Sequence, residues 1–195
     1  TDAFFFAQAM PGMLFPSVCN SISTAFISIY VSKRIKDNKN ESDKFASSAL
    51  ILTLLLALIL SIVALIIIPY IVPFFAPGFD EKTLSLTIYL TRLTLGSFVL
   101  TMAMYMLASI LNSQGFFYGV QVAGLISNIF IIIVTLILGK GKGVDQLTLT
   151  VVAGHLIHVL VLVLFCKDKI NIYLRIKLIT NDTIMMMKLA LPMLV

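Results

Sequence analysis

The side chains able to do chemistry in this chain are few, and most sit in apolar surroundings. Arg92 is one of them: a helix starting near Thr83 would carry it roughly 14 Å along the axis, at about 1.5 Å per residue. An arginine at that depth either snorkels to the interface or faces a wet interior, where it marks a substrate path. Asp2 opens the apolar run Ala3-Phe4-Phe5-Phe6, and a carboxylate at a helix N-terminus is favoured by the macrodipole. Asp2 and Arg92 are therefore the candidate substrate-binding charges. Ser17, Asn20 and Thr24 recur at helical spacing and share one face. Pro11-Gly12 and Pro16 beside them predict a helix that kinks or opens. That face is either interhelical glue or the wall of a cavity, and the coincidence with the prolines makes it the candidate cavity lining. His155 and His158 also share a face, where structural hydrogen bonding outweighs proton relay or metal binding.

Other chemistries find no support. No CxxC, HExxH, GxxxxGK[ST] or GxSxG pattern occurs, and two histidines lack the further ligands a metal site needs. The reading is of a protein that is not an enzyme, with no catalytic residues, no metal and no cofactor. Cys19 and Cys166 fall in or at the end of apolar stretches and read as packing residues, not a disulfide. The net charge of +5 comes without a basic stripe and interleaved aromatics, so nucleic acid is not an expected partner.

The elements that must position these residues are set by where charge is missing. No Asp, Glu, Lys or Arg lies between Asp2 and Lys33, Lys44 and Asp80, Arg92 and Lys140, or Asp145 and Lys167. A bilayer core of about 30 Å needs about 20 apolar residues in a helix, so each stretch can span. The third is about twice that length and is interrupted by Asn112-Ser113-Gln114-Gly115, which joins two spans by a tight turn. With 59% hydrophobic and 12% charged residues, the chain is an all-α, polytopic transmembrane protein. The expected spans are roughly 3–31, 45–75, 83–111, 117–138 and 145–166, with an incomplete one over 183–195.

Orientation follows from the basic residues. Ten lie in the 32–44 connection and the 167–188 region, against four (Lys82, Arg92, Lys140, Lys142) on the other side. The positive-inside rule then places 32–44, 112–119 and 167–182 in the cytoplasm, with 76–82 and 139–144 outside. Both ends read as cut within a longer transporter-like chain. Asp37 and Asp43 stand in a lysine-rich loop and read as solvated. From Ile170 to Leu178 apolar residues alternate with others, the mark of extended backbone, here expected along the cytoplasmic surface with Arg175 and Lys177 near headgroups. Gly115, Gly119, Ala123 and Gly124 are spaced for close helix packing, and Gln121 and Asn128 could bond across helices.

The order of several motifs points to a family. Asp2-Ala3-Phe4-Phe5 leads to Met10-Pro11, and Ala76-Pro77-Gly78-Phe79 closes the second span. Then come Leu90-Thr91-Arg92-Leu93, Ile110-Leu111-Asn112-Ser113 and Asn128-Ile129. In that order they resemble the MurJ/MviN family, the lipid II flippases of the MOP (multidrug, oligosaccharidyl-lipid and polysaccharide) exporter superfamily. The resemblance would cover about the second to sixth of some fourteen helices and the start of the seventh. It implies a two-bundle transporter around a central cavity, working by alternating access in the bacterial cytoplasmic membrane. It also implies an undecaprenyl-pyrophosphate-linked sugar precursor as cargo, membrane lipids as surroundings and other cell-wall synthesis proteins as partners. Asp2 aligns with the family's functional acidic residue. The chain departs from the family's pattern in having no basic residue from Leu14 to Phe26, and Gly96, Val120 and Gly124 stand where prolines are frequent.

Other functions remain in view. One is another transporter of the same superfamily, moving a polysaccharide or spore-wall precursor or exporting drugs by cation coupling. The exporter would favour acidic residues deep in the spans, and only Asp2 stands near one. A membrane-embedded transferase would need clustered acidic or histidine residues at the cytoplasmic face. A non-transporting scaffold in wall synthesis is the remaining alternative.

Overall fold

The computed structural model describes residues 2–76, 78–138, 144–173 and 177–194; of the side chains before Phe15 it describes Phe5, Ala7, Ala9 and Gly12. The expected site residue Asp2 begins the first helix, but its side chain lies outside the described residues, as do Arg175 and the 139–143 loop.

The chain is helical, with no strand among the described residues. In order come α1 (Asp2–Lys36), α2 (Lys39–Phe75), α3 (Glu81–Gly96), α4 (Phe98–Ser113), α5 (Phe117–Leu138), α6 (Val144–Lys167) and α7 (Asn181–Ala190). A 3-10 turn, Leu191–Leu194, follows. Four segments are long and apolar enough to cross a membrane: Lys39–Phe75, Glu81–Ser113, Phe117–Ile137 and Asp145–Lys167. The helix opening expected near Pro11 and Pro16 is not found, since α1 runs as one helix of 35 residues through both.

The stretch read as one span over 83–111 comprises two helices that meet at Ser97. Gly96 has low helix propensity and no side chain to pack, and the backbone turns there. The carbonyls this frees lie deep in apolar surroundings and must find donors. Ser97 supplies its own N–H (3.0 Å) and hydroxyl (2.6 Å) to the Thr94 carbonyl, while Ser61 of α2 donates to the Leu95 carbonyl at 3.4 Å.

The turn expected at 112–119 is built on Gly115, whose φ of 76° suits a residue without Cβ. The Phe116 N–H reaches back to the Leu111 carbonyl at 2.9 Å, and Gln114 donates to the Tyr30 hydroxyl at 3.0 Å. Between α5 and α6 small residues do allow a close approach. A Cβ on Gly154 would meet Ile131 at 2.5 Å, and Ser127 donates to the Gly154 carbonyl at 2.8 Å. Cys19 and Cys166 are buried and free.

The core lies where α1, α2, α4, α6 and α7 meet, around Phe26, Tyr30, Phe45, Met102, Met106 and Met186. At the end of the core nearest the α1–α2 connection the structure corrects one expectation: Asp43 is not solvated but fully buried. Its carboxylate accepts from Arg34 Nη1 (3.4 Å) and from the Asn171 N–H (3.1 Å). One turn on, Ser47 Oγ accepts from the Tyr173 N–H at 3.1 Å, and Ser48 donates to the Lys177 carbonyl, also at 3.1 Å. From Asn171 to Tyr173 the alternation thus has a physical cause. Extended backbone points every second N–H to one side, and Asn171 and Tyr173 meet acceptors four residues apart on α2. Thr180 and Thr183 cap α7 reciprocally, and Lys33 ties Asp182 of α7 to α1 at 2.8 Å. That hydrogen bond raises the Lys33 ammonium above its ordinary value.

Candidate functional site

Helix α1 has a buried side and an exposed one. From Phe15 to Arg34, the exposed residues are Ser17, Asn20, Thr24 and Ser28, every one polar. The apolar side chains of this stretch, Cys19, Ile22, Ala25, Phe26 and Ile29 among them, point into the core. On α5 the situation is reversed: Leu125, Ile129, Ile132, Ile133, Leu136 and Ile137 are all exposed. The surfaces of α2 and α6 resemble α5, with Ile66 at 65% and Leu164 at 65% exposure. Apolar exposure of that extent is what hydrocarbon tails cover; a row of hydroxyls and a carboxamide is what they exclude.

The four polar residues follow each other at intervals of three, four and four, so they form a ladder about 16 Å long, eleven residues at about 1.5 Å each. Thr24 Oγ1 donates to the Asn20 carbonyl at 2.9 Å and Ser28 Oγ to the Ala25 carbonyl at 2.8 Å, so the rungs are held against their own helix. Ser21, on the buried side, crosses instead to the Met193 carbonyl at 2.9 Å and docks the turn after α7. Ser28 was not singled out from the sequence, although its distance of four residues from Thr24 was a sufficient signal.

Of the expected site residues the structure brings Ser17, Asn20 and Thr24 together on this face. Arg92 stands elsewhere, on an exposed side of α3 with Ser85 and Tyr89. It makes no hydrogen bond or ion pair with another described residue. His155 shows no hydrogen bond at its buried Nδ1 among the described residues, so the structural bonding expected for it is not seen there. His158 packs beside Gly124, where a Cβ would meet its ring at 3.6 Å. No cluster of His, Cys, Asp or Glu able to hold a metal is found among the described residues.

A second feature is apolar. Phe15 and Val18 of α1, Leu60 and Ile67 of α2, and Leu95 and Phe98 at the α3–α4 break enclose a groove of about 400 Å³. It lies on a different side of α1 from the polar ladder, so the helix separates an apolar surface from a polar one.

A family model described as lipid II flippase MurJ matches residues 1–195, the whole chain. The chain belongs to the MurJ family. Among solved structures it is similar to lipid II flippase MurJ in an inward closed conformation, with 27% identity and a TM-score of 0.73. That match covers 99% of this chain and 40% of the other. It is also similar to a MATE transporter in a bent conformation (19% identity, TM-score 0.84, 100% of this chain and 45% of that one). A MOP superfamily transporter from Pyrococcus furiosus gives 18% identity and a TM-score of 0.83, covering 98% and 44%. The last two likenesses speak to the fold alone, and the fold is that of a MOP-type helical transporter. The chain spans about two fifths of the length of the MurJ structure it matches. Among curated proteins none matches.

Proposed function

We propose that the protein carrying this chain is a flippase for an undecaprenyl-pyrophosphate-linked peptidoglycan precursor, lipid II, working by alternating access in the bacterial cytoplasmic membrane. The observation that carries the reading is the exposed face of α1. Inside a membrane protein of the MurJ family, a ladder with no exposed apolar side chain between Phe15 and Arg34 supports a water-filled path and is unfit for lipid. On this reading Ser17, Asn20 and Thr24, joined by Ser28, line the central cavity. The connections 32–44, 112–119 and 167–182 are cytoplasmic, and 76–82 and 139–144 are external.

Transport of such a lipid needs its polar head to cross while its tail stays in hydrocarbon. The polar side of α1 provides surroundings for the head, and the apolar surfaces of α2, α5 and α6 face the tails of the bilayer. Arg92, exposed and without an ion pair among the described residues, is the charge this chain offers to a pyrophosphate, for which a guanidinium has forked donors. Asp2 is the acidic group of the same path. Neither membrane lipids nor other cell-wall proteins are needed to explain the ladder, but both fit as partners of such a transporter.

The test is translocation of the lipid precursor by the full-length protein in cells depleted of their own flippase, with membrane abundance measured in parallel. Arg92→Ala should lower translocation about tenfold or more at unchanged abundance, given that a hydrogen bond to a charged group contributes about 1.5–3 kcal/mol. Arg92→Lys should fall between, since it keeps the charge and loses the fork. Translocation by Arg92→Ala at the wild-type rate would remove Arg92 from the path.

A further inference from the structure

The hydroxyls of the α1 ladder are already committed in one direction. Each carries one proton and two lone pairs. Thr24 gives its proton to the Asn20 carbonyl and Ser28 gives its proton to the Ala25 carbonyl, both within α1 and at 2.9 and 2.8 Å. What these side chains present outward is therefore lone pairs. Asn20 between them has both a carbonyl and an amide to offer, and it is exposed on the same side. No cationic side chain is exposed on this face between Phe15 and Ser32.

We infer that this face receives the saccharide of the cargo through its hydroxyl and amide donors, and that it makes no contact with the pyrophosphate. The inference rests on the flippase reading above. Phosphate oxygens are acceptors, and an acceptor brought against outward lone pairs is repelled. Sugar hydroxyls and amide N–H groups are donors and fit the same surface. Rotating the Thr24 or Ser28 hydroxyl outward to meet a phosphate would first break the bond it makes to its own helix. The labour is then divided between helices. Uncharged acceptors on α1 hold the sugar, and a guanidinium on another helix, Arg92 of α3 in this chain, takes the pyrophosphate.

The experiment uses the purified full-length protein in lipid nanodiscs and two probes, undecaprenyl pyrophosphate and the same lipid bearing its disaccharide. Affinities for both are measured for the wild type, for Thr24→Val with Ser28→Ala, and for Thr24→Ser. The double variant keeps nearly the same shape at exposed positions, and its binding of the bare lipid reports that it is folded. Expected is a loss of about tenfold for the disaccharide lipid, with the bare lipid bound as before and Thr24→Ser close to wild type. Equal weakening for both lipids, with an unchanged melting temperature, would place the face against the pyrophosphate and overturn the inference. So would unchanged affinity for both. A wild-type protein that binds neither lipid would overturn the flippase reading itself.

Discussion

Two regions of this molecule are built from the same residue types and end in opposite conditions. At the α1–α2 connection, Arg34, Asn40, Ser42, Asp43, Ser47 and Ser48 surround the segment before α7, and each of them has a partner. On the exposed face of α1, Asn20, Thr24 and Ser28 have no side-chain partner on another helix among the described residues. In the first region polar groups are spent on holding the chain together, because the segment opposite is a backbone with unsatisfied N–H and C=O groups. In the second none of the described residues bonds across from another helix. A serine or threonine is structural or functional according to what its neighbour leaves unpaired.

The comparison is broken most forcefully at Asp43. Removing its carboxylate leaves the Arg34 guanidinium and the Asn171 N–H without their acceptor. Loss of one partner of a buried pair costs about 3–5 kcal/mol, and about 2–3 kcal/mol is expected here because Arg34 is a third exposed. Asp43→Ala should lower the melting temperature and membrane abundance of the full-length protein. Asp43→Asn, which keeps an acceptor for Asn171, should fall between. A melt unchanged by Asp43→Ala would show that the Asp43 network is no more structural than the open ladder.

The break between α3 and α4 sharpens the contrast, since there hydroxyls serve the backbone inside an apolar span. Ser97→Ala with Ser61→Ala removes both side-chain donors to the freed carbonyls. A loss of about 1–2 kcal/mol is expected from denaturation in mild detergent. The same double substitution should leave affinity for the lipid substrate unaltered, unlike substitutions on the α1 face.

The smallest effect is expected at Lys33, which bridges Asp182 at 2.8 Å and Asp37 at 3.3 Å near the surface. Lys33→Met should cost less than about 1 kcal/mol and the loss should shrink in high salt. The hydrogen bond from Lys33 to Asp182 raises the ammonium's pKa on folding. Its stabilisation is therefore complete below the ordinary lysine value and is lost as pH rises through the raised one. Melts of wild type and variant should converge at strongly alkaline pH.

Much was legible from the sequence because the membrane imposes simple rules. Charge-free stretches mark where helices can lie in hydrocarbon, and the all-α fold class follows from them. The spacing of Ser17, Asn20 and Thr24 put them on one face before any coordinates, since a helix has one period. Gly115 announced a turn because its backbone is free to take a positive φ. These properties are local, and a local sequence is enough to specify them.

What only the tertiary structure decided depends on distant parts of the chain. Asp43 reads as a loop carboxylate until Asn171, 128 residues later, lays its N–H against it. At the halt of α3 at Gly96, Ser97 serves the Thr94 carbonyl locally, but the Leu95 carbonyl depends on Ser61 of another helix. The ladder on α1 becomes a candidate site not through its own residues but because α2, α3, α4 and α7 cover the other sides of the helix and leave this one bare. Composition specifies which groups must be satisfied, and packing decides whether the chain satisfies them itself or leaves them for a ligand.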